Sequence, residues 1–181
     1  MTGFRPPATG GELPTDNITG GYWDYSDALT PVTPIVVTGG GGPVVLTNDT
    51  LGAQTLKTFA PNGVVDIWDA STNEFKWDGV GGGGGLSVGT RVGIRLDVDI
   101  ITTSQNTEVR IDMSFAGGLF TLAWLNLVNY KNSGTQQVTE YIEFHIGSAF
   151  VLAGDAQFMI ESDKNCTVVV IGYYCSIANR G

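Results

Sequence analysis

From residue 32 onward, apolar and polar positions alternate in short runs. In residues 91–101, Val92, Ile94, Leu96, Val98 and Ile100 are interleaved with Arg91, Gly93, Arg95, Asp97 and Asp99. Residues 107–115 repeat the pattern, with Val109, Ile111, Met113 and Phe115 against Glu108, Arg110, Asp112 and Ser114. A period of two places one set of side chains on each face of a strand, so both segments are expected to be half-buried strands. The polar, turn-like connection 102–106 predicts that they pair with each other as an antiparallel hairpin with one wet face. Arg mixed with Asp and Glu on the wet faces suits cross-strand ion pairing.

Shorter β-branched runs at 33–38 and 44–47, a candidate at 74–77, and segments 119–125, 138–146, 156–161 and 167–178 complete the set. No segment carries a sustained 3.6-residue stripe. About eight or more short strands in one domain of this length predict an all-β, antiparallel β-sandwich of jelly-roll type.

The last run differs from the others. Strict alternation puts Val168, Val170 and Tyr174 on one face and Val169, Ile171, Tyr173, Cys175 and Ile177 on the other. A strand apolar on both faces needs cover on both, and a two-layer sandwich covers only one. Val169, Ile171, Tyr173, Cys175 and Ile177 are therefore expected to form an oligomer interface.

The first 21 residues are rich in Gly, Pro and Thr and have no hydrophobic period, which predicts an extended arm unable to fold alone. Tyr22-Trp23-Asp24-Tyr25 closes this stretch with three aromatics in four residues. Such a cluster is either the edge of the core or an anchor in a partner's pocket. The organisation expected is an arm over 1–31, with Tyr22, Trp23, Asp24 and Tyr25 as its docking residues, and a sandwich over 32–181.

Composition narrows the function more than it names one. The formal net charge is −9, and the nine Lys and Arg are scattered, so the clustered cations that release counterions from nucleic acid are missing. Neither nucleic acid nor a membrane is an expected partner: no apolar run is long enough to cross a bilayer, and the first 20 residues hold no apolar core of a signal peptide. Cys166 and Cys175 fall on one predicted strand, about 30 Å apart at the usual rise. They cannot bridge within it, since a disulfide needs Cα atoms within about 7 Å. Unpaired thiols suit assembly in a reducing cytosol.

Candidate chemistry is sparse. His145 is the single histidine, on a face shared with Thr139, Tyr141 and Glu143, and a triad or zinc site needs partners for it. The glycine runs at 39–42 and 81–85 are not followed by Lys-Ser/Thr or by a helix, so they read as spacers or turns, not phosphate cradles. Asp24, Asp49, Asp66, Asp69 and Asp78 lie near Trp23, Trp68 and Trp77, and paired acids of this kind can hydrolyse glycosides. Asp is equally a turn residue, and these acids flank Asn, Gly and Thr. No enzyme activity, cofactor or metal is expected.

Several segments together resemble a group of small virion proteins of tailed bacteriophages. They are Tyr22-Trp23-Asp24-Tyr25, Thr33-Pro34-Ile35, the first glycine run, Leu46-Thr47-Asn48-Asp49-Thr50-Leu51-Gly52, Pro61, Val65-Asp66-Ile67-Trp68, Ser71-Thr72-Asn73-Glu74-Phe75, Asn106-Thr107-Glu108-Val109 and Gly172-Tyr173-Tyr174-Cys175. The resemblance spans residues 22–177. It implies a jelly roll of the trimeric tumour-necrosis-factor and complement-head kind, displayed on a virion after assembly in the host bacterial cytoplasm. The run at 81–85 departs from it, where a stiffer connector is implied.

Three functions follow as expectations. The first is a homotrimeric capsid decoration protein, a cement protein or short head fibre, whose arm contacts the major capsid protein or another virion protein. The second is the receptor-binding head of a tail fibre or tail appendage, with a host surface glycan as candidate partner. Against it, no coiled-coil heptads or shaft repeats are visible. The third is a polysaccharide-degrading enzyme working through Asp66 and Asp69.

Overall fold

Strands form almost wherever the period-two pattern runs. The computed structural model describes residues 20–178 except 62, 65, 83 and 116–119. Residues 1–19, the greater part of the expected arm, lie outside the described residues, as does Leu119. The elements are β1 (Gly20–Ser26), β2 (Ile35–Val37), β3 (Val44–Val45), β4 (Trp68–Asp69), β5 (Glu74–Phe75), β6 (Arg91–Thr102), β7 (Thr107–Phe115), β8 (Phe120–Tyr130), β9 (Gly134–His145), the one-turn helix α1 (Ala149–Ala153), β10 (Ala156–Ser162) and β11 (Cys166–Ala178).

They build two antiparallel sheets. One has the order β1-β11-β6-β9, with β2 also on β11; the other has β4-β5-β10-β7-β8, with β3 also on β10. The chain crosses between sheets at β2–β3, β5–β6, β6–β7, β8–β9, β9–β10 and β10–β11, the winding of a jelly roll. The expected hairpin of residues 91–101 with 107–115 does not form. β6 pairs with β11 and β9, and β7 with β10 and β8, so residues 103–106 bridge the two layers. Both strands bury their apolar set against the same core from opposite sides, which alternation alone cannot tell from pairing.

The core is aromatic at its centre. Trp68 meets Tyr173 edge-on with ring centroids 4.8 Å apart, Phe75 stacks on Trp77 at 5.3 Å, and Phe158 closes on Tyr173 at 5.1 Å. Val92, Ile94, Leu96, Val98 and Ile100 from β6 face Val109, Ile111, Met113 and Phe115 from β7 within the same cluster.

β1 corrects the expected domain boundary. Gly20 to Ser26 pair in unbroken register with Ala178 to Gly172, and Trp23 and Tyr25 are fully buried. The sandwich therefore takes in residues 20–26, which the expected organisation gave to the arm. The outer edge of β1 is covered in turn: Asp24 exchanges two backbone hydrogen bonds with Leu56 (2.9 and 2.8 Å), and the Tyr22 amide donates to the Phe59 carbonyl at 3.0 Å. A strap of backbone thus shields an edge that would otherwise invite another strand.

The second correction concerns β11. Its register against β6 slips between Val170 and Gly172, leaving Ile171 as the extra residue of a β-bulge. A one-residue slip moves every following side chain to the other face. Val168 and Val170 point inward before the bulge, and Tyr173, Cys175 and Ile177 point inward after it. β11 is thus apolar on the inner face along its whole length, and the predicted interface set does not share one face.

Candidate attachment and assembly surfaces

Of the four expected docking residues, the structure commits two to the interior. Trp23 and Tyr25 face the core, and the Tyr25 hydroxyl donates to Asp66 Oδ1 at 2.7 Å. Tyr22 and Asp24 face outward on the alternate side of β1. Tyr22 stacks between Phe59 (4.9 Å) and Tyr174 (5.6 Å). Partial burial pushes the Asp24 carboxyl above the usual carboxylate range, against the pull of Arg95 and with the push of Asp97. The aromatic cluster is therefore an edge of the core with a half-exposed Tyr22, and a docking role for Trp23 and Tyr25 does not fit their burial.

The five expected interface residues divide likewise. Tyr173 and Cys175 are fully buried inside the protomer and Ile177 nearly so, while Val169 and Ile171 stay on the outer face. Burial pushes the Cys175 and Cys166 thiols up from the ordinary range, so both cysteines are core residues with little thiolate character.

What the five-stranded sheet presents outward is a patchwork of aromatic, aliphatic and paired charged groups. Along one row the register brings Asp24, Tyr174, Arg95 and Tyr141 side by side on β1, β11, β6 and β9. Arg95 lies over the Tyr174 ring, 5.4 Å from its centroid, and pairs with Asp97 at 2.9 Å. Asp97 also accepts from Thr139 Oγ1 at 2.7 Å. In the next row Gly93 has no side chain, and the Tyr141 hydroxyl sits over it. The resulting shallow depression, about 300 Å³, is walled by Arg91, Glu143, Tyr141 and Ser176, with Arg91 and Glu143 in an ion pair. Val36, Val169 and Ile171 add aliphatic surface to the same face.

Asp66 and Asp69, the pair expected to work in hydrolysis, both hold loops in place. Asp66 accepts from the Tyr25 hydroxyl, Lys57 Nζ (2.7 Å) and the Trp68 amide (3.2 Å). Asp69 accepts from the Ser71 hydroxyl (2.6 Å) and amide (2.9 Å), an Asx turn that holds its carboxyl below the usual range despite some burial. His145 is exposed at the end of β9. Among the described residues no group of three or more His, Cys, Asp or Glu is placed to hold a metal ion.

Sequence reasoning missed a polar clasp at the bulge. Asp27 accepts from the Thr30 amide (2.7 Å) and hydroxyl (2.5 Å) through Oδ2 and from the Asp49 amide (2.8 Å) through Oδ1. Thr30 Oγ1 lies 2.8 Å from the Val170 amide and 3.1 Å from its carbonyl, beside the slipped register. Asn48 Nδ2 donates to the Tyr25 carbonyl at 2.7 Å, while Trp68 Nε1 donates to the Asn48 carbonyl at 3.1 Å. Asn73 Oδ1 accepts from the Asn48 amide at 3.0 Å and the Tyr173 hydroxyl donates to the Leu46 carbonyl at 3.1 Å, so these residues with Asp49, Asp66 and Trp68, all within the motifs that carry the resemblance, join β1, β11 and their loops. The signal was the density of Asn and Asp between strand runs.

No protein-family model and no curated protein matches the chain. Solved structures similar to it include a chain in the structure of infectious bursal disease virus, Gt strain, with a TM-score of 0.51 and 8% identity over 96% of this chain. A chain in the structure of the Gx strain has a TM-score of 0.46 and 9% identity over 97% of this chain. This chain spans 38% and 37% of the two. At such identity the first likeness concerns the fold alone, and it agrees with the jelly roll built above.

Proposed function

We propose that the chain is a non-enzymatic virion structural protein, a homotrimeric capsid decoration protein that docks on the particle through the segment preceding β1. The observation that carries this reading is the outer face of the five-stranded sheet. Tyr22, Tyr174, Tyr141, Val36, Val169 and Ile171 are spread across this face, while the interior is filled by the domain's own aromatic core. Such a body offers other proteins surface to pack against, and Asp27, Asp49, Asp66 and Asp69 are engaged in holding loops. Val169 and Ile171 are the part of the expected interface set that remains available to neighbouring subunits. The fold likeness to a chain of a virus structure supports a particle role.

Sedimentation equilibrium of the full chain tests the assembly, with a trimer mass expected at micromolar concentration and a monomer counting against it. Particles assembled without this protein test the attachment. The full chain is expected to bind them, and a chain starting at Gly20 is expected to fold yet fail to bind. Binding at full occupancy by the shortened chain would remove the docking role.

The depression over Gly93 favours a second reading, a tail-appendage head that binds a host glycan. Tyr141 supplies an aromatic wall, and Arg91, Glu143 and Ser176 supply polar groups for sugar hydroxyls. Imaging labelled particles for head or tail location separates the two.

A further inference from the structure

The two ends of the sandwich differ in chemistry. At the end where β6 stops, the loops 38–42, 103–106, 131–133 and 163–165 consist of polar residues and glycine. They bond to one another: Lys164 Nζ donates to the carbonyls of Gln105 (2.6 Å) and Asn106 (2.8 Å), and the Gly39 amide to Asn165 Oδ1 (2.9 Å). None of the exposed large apolar side chains of the described residues falls in these loops.

The opposite end presents Val88, 50% exposed, and Phe150, 58% exposed. Val88 sits in the turn before β6 and Phe150 on α1. The two segments are tied by the Gly89 amide to the Ile146 carbonyl (2.8 Å) and the Ile146 amide to the Thr90 carbonyl (2.9 Å). α1 reads Ala149-Phe150-Val151-Leu152-Ala153; Val151 and Leu152 are half-buried against the core, and Ala149, Phe150 and Ala153 are exposed. Its inner side is thus accounted for by the core, while its outward side, where a turn facing water carries polar groups, holds only Ala149, Phe150 and Ala153. The same end releases the N-terminal segment: Gly20 pairs with Ala178, which is in register with Arg91 and, through it, His145.

We propose that this end, through Val88 and Phe150, seats on an apolar patch of the protein shell to which residues 1–19 attach, so that the polar, glycine-bearing end points away from the particle. The placement rests on the docking reading above. A contact beside the point where a tether leaves the domain is favoured, because the tether holds the two surfaces at high effective concentration. A chain of net charge −9 is repelled by anionic lipid, which favours a protein shell over a membrane as the occupant.

The test uses the full chain and particles assembled without it. Val88→Asp with Phe150→Asp, and the milder Val88→Thr with Phe150→Ser, are compared with Ser104→Asp with Gln105→Asp at the polar end. Melting temperature and oligomeric mass are recorded for each. The apolar-end variants are expected to melt and assemble like the parent but to bind particles about tenfold or more weakly, as loss of two anchors produces. The polar-end variant is expected to bind like the parent. Parent-like binding by folded apolar-end variants overturns the proposal. A changed oligomeric mass in them, which would make the surface a contact between copies, also overturns it, as does parent binding to phosphatidylcholine vesicles that these substitutions abolish. If the parent chain itself binds no particle, the docking reading fails first. Parent binding that is unaffected at Val88 and Phe150 removes this inference alone.

Discussion

Tyr25 on β1 donates its phenolic hydrogen to Asp66 Oδ1 across 2.7 Å, joining the first strand of the domain to a residue 41 positions later. Lys57 holds the other oxygen of the same carboxylate. Buried polar pairs of this kind cost most when one member is removed and the other is left without a partner. Tyr25→Phe leaves Asp66 with Lys57 and the Trp68 amide, so the expected loss is modest, about 1–2 kcal/mol by chemical denaturation. Asp66→Ala strands the buried Tyr25 hydroxyl and frees Lys57, and is expected to cost more. Equal losses for the two would show that the carboxylate does not organise this corner.

How far the sequence led can be judged strand by strand. β6 and β7 were legible because their alternation is strict, and the predicted inward residues are the buried ones. Their partners were not legible, because a strand facing the core from either layer has the same period. β1 was hidden for a different reason: it opens on Gly20-Gly21, and glycine weakens a strand signal that Trp23 and Tyr25 alone cannot restore. β11 was read with the right length and the wrong phase. A single residue, Ile171, displaced the pattern, and nothing in an unbroken apolar run marks where such a slip occurs. The docking and interface residues inherited these two errors, which is why Trp23, Tyr25, Tyr173, Cys175 and Ile177 prove to be core. Tyr22, Asp24, Val169 and Ile171 remain on the surface.

The bulge makes a direct prediction about those residues. Val169→Thr and Ile171→Thr act on the outer face and are expected to change the stability of the dissociated protomer by no more than about 0.5 kcal/mol. Tyr173→Ala removes a fully buried ring that touches Trp68, Phe75 and Phe158, and is expected to cost about 3–5 kcal/mol. Gly172→Ala is a finer probe. A Cβ there would lie 2.9 Å from the Tyr25 carbonyl oxygen, so β1 must shift to admit it, at a cost of about 1–3 kcal/mol. Urea titrations of the set decide it: similar losses for Val169→Thr and Tyr173→Ala, both large or both small, would return β11 to the unbulged phase, in which the two share a face.

The clasp around Asp27 predicts a sharp response at Thr30. Thr30→Val keeps the shape but removes the hydroxyl shared by Asp27 and the Val170 backbone, leaving a buried amide and carboxylate oxygen short of partners. The expected loss is about 2–3 kcal/mol, against a few tenths for Thr30→Ser, which retains the oxygen. Acid acts on the same corner through Asp49. Slight burial raises its carboxyl, but the amides of Ala28 and Leu51 outweigh this and hold it below the ordinary carboxylate range. A folded-state pKa below the unfolded one gives stability that is complete above about pH 4 and is lost as pH falls through the folded value. Asp49→Asn is therefore expected to flatten the decline in melting temperature between about pH 4 and 2.

Alkali reaches the core by the opposite sign. Burial raises the hydroxyls of Tyr25 and Tyr173 and the thiols of Cys166 and Cys175 above their ordinary values. The folded chain then keeps protons that the unfolded chain releases, so stability falls with rising pH from the point where the unfolded groups begin to ionise. That window opens near pH 8.5 for the thiols and about pH 10 for the phenols. Melting temperature is expected to hold to about pH 8 and decline steadily above it. Phenolate absorbance offers the independent check. Tyr25 and Tyr173, both fully buried, are expected to ionise only as the far-ultraviolet β signal is lost. Cys175→Ala and Cys166→Ala together should remove the earliest part of the decline and leave the tyrosine part in place. Full phenolate absorbance in a chain still folded would mean that the Tyr25–Asp66 corner opens without unfolding the sandwich.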